Sequence, residues 1–280
     1  MRSDPDRKRS HGVDLFADIG IPEMQAFEFG KENSRRIMMI PGNMMSWRQF
    51  EHLIPLLEPD FHVIAVSTDG FDGTGETTFT TAEASAEKLE QYIRKHLNGH
   101  VDLIFGESFG CATAGTLFHR QKVWADALIL NGPQYMDLGI FNGFVTKVIP
   151  HNQYRLYSKI QNRKKLPLLL KLYTRSDDEA LLRQFACTPR NISLETLQNC
   201  AKEGLKLYEE IDKYAPDPDA RAVVWYGAKE PNMKKAIQKL KRAFPKLEVH
   251  PFAGFGHGEV IAHPDLMNLE IRKFIGGNDG

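Results

Sequence analysis

Cysteine is scarce in this chain, and the little there is carries no pattern. Cys111, Cys187 and Cys200 form an odd set with neither C-x-x-C nor a zinc-ligand spacing. That argues against a disulfide scaffold or a structural zinc site, and it predicts free thiols in a reducing, cytoplasmic compartment. No apolar run approaches the ~20 residues of a membrane span, so no membrane span is expected. The first ten residues are polar with no apolar segment behind them, which predicts no secretory signal and a tail over about residues 1–20. Charge of one sign is missing too. Lys+Arg and Asp+Glu both number 36, and a nucleic-acid binder would need a basic excess to meet phosphates. There is no internal repeat and no low-complexity segment.

What is present is core-forming material, with 42% of 280 residues hydrophobic, enough for one large domain. Short apolar runs at 25–29, 36–40, 61–66, 101–105, 125–130, 222–226 and 247–251 predict strands. Helical patterns fall between them, at about 81–96, 232–243 and 264–274. In the first, Thr80 and Glu83 fit a capping box, and Ala86, Leu89, Ile93 and Leu97 form the buried stripe. Strands alternating with helices predict an α/β fold, a mostly parallel sheet flanked by helices. One stretch breaks the alternation. Residues 134–214 hold no convincing strand, and 166–172, 180–185 and 194–211 read as helices. The expected organisation is therefore a core over 21–133 and 215–280, with 134–214 inserted as a helical cap over the sheet edge where open α/β sheets bind ligands.

Residues 106–110 read Gly-Glu-Ser-Phe-Gly, between the strand 101–105 and a helix of small residues beginning at Cys111. A nucleophile elbow requires this order: strand, sharp turn, helix. Glycines at 106 and 110 suit a strained turn that cannot carry bulky neighbours. Ser108 would stand clear of the backbone, open to a base on one side and a substrate on the other.

With this elbow on this pattern, the chain resembles the α/β-hydrolase fold superfamily over roughly residues 25–276, the insertion falling where that family places its cap. The resemblance implies a nucleophile, an acid and a histidine, each after a strand. Ser108 matches the first. Glu230, in Gly227-Ala228-Lys229-Glu230, matches the acid, with Glu where Asp is usual. His257, in Gly254-Phe255-Gly256-His257-Gly258, matches the histidine. A serine hydroxyl is a poor nucleophile at neutral pH, so His257 would accept its proton while Glu230 fixes the histidine tautomer. The resemblance further implies an oxyanion hole, from the backbone N–H of Phe109 and one from the loop Pro41–Trp47. There Asn43 matches the donor position and Met44 is the neighbouring alternative.

Other readings stand beside these. His62, His250 and His263 compete with His257, and Asp126 and Asn131 with Glu230. Glu107 reads as a surface or supporting carboxylate, and Cys111 as a core thiol. Met44, Met45, Trp47, Phe71 and Phe109 line either an apolar substrate pocket or the core. The implied activity is that of a serine hydrolase acting on a small-molecule ester, apolar or aromatic, or on a related acyl bond, with no metal or organic cofactor. Thioesters, amides, lactones and C–C bonds fall to the same triad elsewhere in the superfamily. The alternative class is a small-molecule-binding protein that keeps the fold with little turnover.

Overall fold

A computed structural model describes residues 23–133, 139–160, 188–206, 216–231 and 233–276. Seven strands make one sheet: β1 (Gln25–Phe29), β2 (Arg36–Ile40), β3 (His62–Ser67), β4 (His100–Glu107), β5 (Trp124–Asn131), β6 (Ala222–Gly227) and β7 (Glu248–Phe252). Their order is β1-β3-β2-β4-β5-β6-β7. Only β1 runs antiparallel to its neighbour. The expected α/β architecture is the one observed.

The central strands are buried on both sides, which is why they read as unbroken apolar runs. Side chains alternate between the faces. Met38, Ile40, Ile64, Val66, Leu128 and Leu130 enter one core. Ile37, Met39, Val63, Ala65, Ala127 and Ile129 enter the other. Helices α2 (Ala82–His96) and α3 (Gly110–Arg120) cover the first face. A short α1 (Ile54–Leu57), preceded by a 3-10 turn at Trp47–Phe50, packs on the second. The 3-10 turn and α1 escaped the sequence reading because they are too short to show a period.

Helix α2 corrects the expected capping box. Its N-cap is Thr81, whose side chain accepts from Ala84 N at 3.0 Å. Glu83 turns instead to Arg120, on the last turn of α3. The N–H of Ala82 is taken by Glu203, 121 residues away in sequence, at 3.2 Å. Arg120 also reaches Glu87 and the buried Glu90, pinning α3 to α2.

Between β5 and β6 two helices are described, α4 (Asn142–Ile160), which the sequence reading missed, and α5 (Leu194–Lys206). They pack on one another. Tyr157 of α4 and Leu197 of α5 reach the first core. The helices expected at 166–172 and 180–185 lie outside the described residues, as do Cys187 and the expected tail at 1–20. Helices α6 (Met233–Ala243) and α7 (Pro264–Gly276) complete the layers, one on each face. Among the described residues no helix is long and apolar enough to cross a membrane.

Helix α3 sits tight against the β2 loop. A Cβ added at Gly110 would lie 2.4 Å from Pro41 O and 2.5 Å from Ile40 O. We therefore expect Gly110→Ala to lower stability by roughly 3 kcal/mol, despite alanine's better helix propensity, because both obstacles are backbone. Urea unfolding measures this; an unchanged midpoint would contradict the close approach.

Candidate functional site

The parallel strands end together. Register places Ile40 beside Gly106, Glu107 beside Asn131, Asn131 beside Trp225 and Gly227 beside Phe252. The loops that follow therefore gather at one edge, the edge at which open α/β sheets place their ligands.

Ser108 occupies the junction of β4 and α3 with φ +50°, a left-handed conformation that costs a serine of order 1–3 kcal/mol. The surroundings hold it there. Its N–H donates to Asn131 O at 2.7 Å, and Cys111 N closes the turn on Ser108 O at 3.1 Å. Ser108 Oγ lies 2.9 Å from His257 Nε2, and His257 Nδ1 lies 2.7 Å from Glu230 Oε2. The other oxygen, Glu230 Oε1, accepts from Gly227 N at 2.7 Å. So three residues, the outer two 149 positions apart in sequence, form one continuous hydrogen-bonded line. The Glu230 side chain is only 5% exposed while His257 is 34% exposed, leaving the histidine open on one side and anchored on the other. The histidine loop lies against the acid loop: a Cβ at Gly227 would meet Gly256 O at 2.4 Å and Phe255 O at 2.5 Å. Lys229 N also donates to Phe255 O at 2.9 Å.

The rivals are occupied elsewhere. His62 pairs with Glu28. His250 packs on Phe252 and His263 on Phe255. Asp126 stands near the start of β5, bonded to His100 and Trp124. Asn131 turns its amide to Glu107.

The β2 loop flanks the serine. A Cβ at Gly42 would be 3.2 Å from Ser108 Cβ. Gln49, which the sequence reading passed over, fixes this loop by accepting from Gly42 N at 2.8 Å. Met44 carries φ +62° there, and the buried Asn43 Oδ1 has no hydrogen-bond partner. Phe109 sits at the N-cap of the 11-residue α3, where the helix dipole favours negative charge. Its ring meets Phe79 edge-on at 5.2 Å, on the face against which Met44 packs. Trp47 packs with the opposite core. It stacks on Phe27 and meets Phe29 at a tilt, both on the edge strand, with the Arg48 guanidinium over it. Met44 and Trp47, grouped in sequence as lining one pocket or the core, thus pack on different faces of the sheet.

Glu107 is fully buried rather than at the surface. It ends β4 just after the apolar run Leu103-Ile104-Phe105. Asn131 Nδ2 donates to Glu107 Oε2 at 2.6 Å, but Glu107 Oε1 has no partner. One donor does not sustain a buried carboxylate. Burial pushes the carboxyl up to about 8; the Asn131 amide opposes the rise and the Glu230 charge adds to it. Burial therefore favours the protonated form of Glu107. Cys111 is buried with Sγ 3.1 Å from Gly106 O, and burial holds its thiol well above the usual range, which makes it an inert core group.

Residues 35–264 match the family model described as alpha/beta hydrolase fold. Among solved structures, an alpha/beta hydrolase family protein from Desulfitobacterium hafniense is 20% identical, with a TM-score of 0.75 over 90% of this chain and 100% of that one. A structure from work on carboxylesterases of Nitrososphaera gargenis is 16% identical, with a TM-score of 0.66 over 90% and 94%. The enol-lactonase of Burkholderia xenovorans LB400 is 13% identical, with a TM-score of 0.68 over 90% and 96%. At such identities the likeness is one of fold.

Glu107 gives the folded state a definite pH dependence. Its folded pKa lies above the ordinary glutamate value, so the proton it holds favours folding. That contribution is complete at acid pH and is lost as pH rises towards and through about 8, at up to ~1.4 kcal/mol per pH unit. We expect Glu107→Gln to flatten the fall in melting temperature between pH 5 and 8. A parallel fall in both proteins would show that Glu107 is ionised in the folded state.

Proposed function

Because the chain belongs to the alpha/beta hydrolase fold family, we propose that it is a serine hydrolase cleaving a carboxylic ester or a related acyl bond. The observation that carries this reading is the line Ser108 Oγ–His257 Nε2 at 2.9 Å and His257 Nδ1–Glu230 Oε2 at 2.7 Å. In the acylation step Ser108 Oγ attacks the substrate carbonyl as His257 Nε2 takes its proton. Glu230 holds the Nδ1 proton and stabilises the imidazolium. His257 then returns the proton to the leaving group, and a water activated by the same ring hydrolyses the acyl-enzyme.

The oxyanion formed in each step needs donors. We assign the backbone N–H groups of Phe109 and Asn43. Support comes from the position of Phe109 at the start of α3 and of the Gly42–Asn43 turn beside Ser108. Such a donor typically supplies roughly 3–4 kcal/mol of transition-state stabilisation. Met44, with Phe79 and Phe109 on the same face, would line the apolar side of the substrate site. We read residues 134–214 as the cap, supported by α4 packed on α5. The two buried free thiols Cys111 and Cys200 support a reducing, cytoplasmic setting.

Exposure to a fluorophosphonate, followed by intact-protein mass, tests the nucleophile. We expect one adduct on the wild type and none on Ser108→Ala, with kcat on p-nitrophenyl esters lower by at least about 10⁴-fold in that variant. Glu230→Gln should lose about 10³–10⁴-fold with its fold intact. No adduct on the wild type, or undiminished turnover in Ser108→Ala, would remove the hydrolase reading in favour of a binding protein.

A further inference from the structure

The start of the segment between β5 and β6 presents apolar side chains to water. Ile140 is 94% exposed, Phe141 61% and Phe144 64%. Solitary exposed apolar residues are ordinary, but three within five positions at the head of a helix are not. Helix α4 continues the pattern with a second chemistry. Its outward positions recur every three to four residues from Phe144 through Lys147 to Tyr154 and Arg155, all exposed, while Pro150 and Tyr157 turn inward and are buried. The outer face is thus aromatic at its leading end and carries the cations Lys147 and Arg155 behind it.

The charge on this helix is of one sign. Over α4 itself, Asn142–Ile160, the sequence carries three Lys or Arg and no Asp or Glu, in a chain whose total acids and bases cancel at 36 each. A solvated helix face in a neutral protein ordinarily mixes both signs. Each candidate occupant meets these facts differently. A second copy of the chain would bring one cationic face against another. An acidic protein or an RNA would answer the charges but leave Ile140 and Phe141 in water. A lipid surface answers both, since aromatic and aliphatic side chains enter the acyl boundary while Lys and Arg lie among anionic headgroups. The helix is not apolar enough to cross a membrane, so it would lie on the surface.

We propose that the face formed by Ile140, Phe141, Phe144, Lys147, Tyr154 and Arg155 docks the protein on anionic lipid membranes. The proposal goes beyond the hydrolase reading and does not depend on it.

The test uses the 280-residue Ser108→Ala protein, so that lipid hydrolysis cannot intervene. It is co-sedimented with phosphatidylcholine vesicles with and without phosphatidylglycerol. We expect binding to the anionic vesicles, weaker binding to the neutral ones, and a fall with added salt. The pair Phe141→Ser and Phe144→Ser should weaken binding by at least about tenfold. The pair Lys147→Gln and Arg155→Gln should weaken it by roughly fivefold per cation removed. All four positions are exposed, so the melting temperature should hold and a loss of binding cannot be ascribed to unfolding. Three results would overturn the proposal: no binding to anionic vesicles, equal binding by wild-type and variant faces, or vesicle binding no stronger than capture by polyglutamate, RNA or a second copy measured in parallel.

Discussion

Ser108 is held at φ +50° between β4 and α3, in a region that L-residues other than glycine seldom occupy. The rest of the edge is arranged around that turn. The strand must end and the helix begin within two residues, so the helix start comes hard against the β2 loop. A side chain at 110 would strike Pro41 O. The Ser108 N–H finds its acceptor on β5, in Asn131 O, which ties the turn to the neighbouring strand. The strain is thus borne by backbone packing and hydrogen bonding on both sides, and the hydroxyl is left pointing at His257.

The same crowding has an electrostatic consequence. At the ends of β4, β5 and β6 the structure buries two carboxyl groups, Glu107 and Glu230, close enough to influence one another. They are treated differently. Glu230 has a donor on each oxygen, from Gly227 N and His257 Nδ1. Glu107 has a single amide donor and no partner on its second oxygen. Two carboxylates in one low-dielectric site do not both ionise readily. Of the two, Glu230 is the one that faces the imidazole. Sequence position alone marked Glu107 only as the neighbour of the nucleophile.

The region between β5 and β6 is built on other terms. The sheet is sealed by apolar runs buried on both faces, whereas α4 turns aromatic and cationic side chains outward. Its inner face reaches the main core at Tyr157, and α5 locks onto the start of α2 through Thr196, Asn199 and Glu203. One long connection is thus tied to the sheet-side framework from within and offers a different chemistry to the outside.

Much of this was legible in the chain itself. Apolar runs of strand length, separated by helical periods, specify a doubly covered parallel sheet because only burial on both faces makes a strand apolar throughout. The glycine-flanked serine between a strand and a small-residue helix marked the elbow, since few other residues fit a turn that tight. Glu230 and His257 could be nominated because the resemblance to the α/β-hydrolase superfamily implies an acid and a histidine after strands, and parallel strands deliver their following loops to one edge. What sequence could not decide was set by contacts between distant residues. Thr81 caps α2 in place of Thr80 because Glu203 supplies the second acceptor from 121 positions away. Trp47 parts from Met44 because Phe27 and Phe29 of the edge strand offer it an aromatic surface. Glu107 is biased to its protonated form because the sheet closes over it. In each case local propensity allowed more than one outcome, and tertiary burial, which removes water as a partner, selected among them.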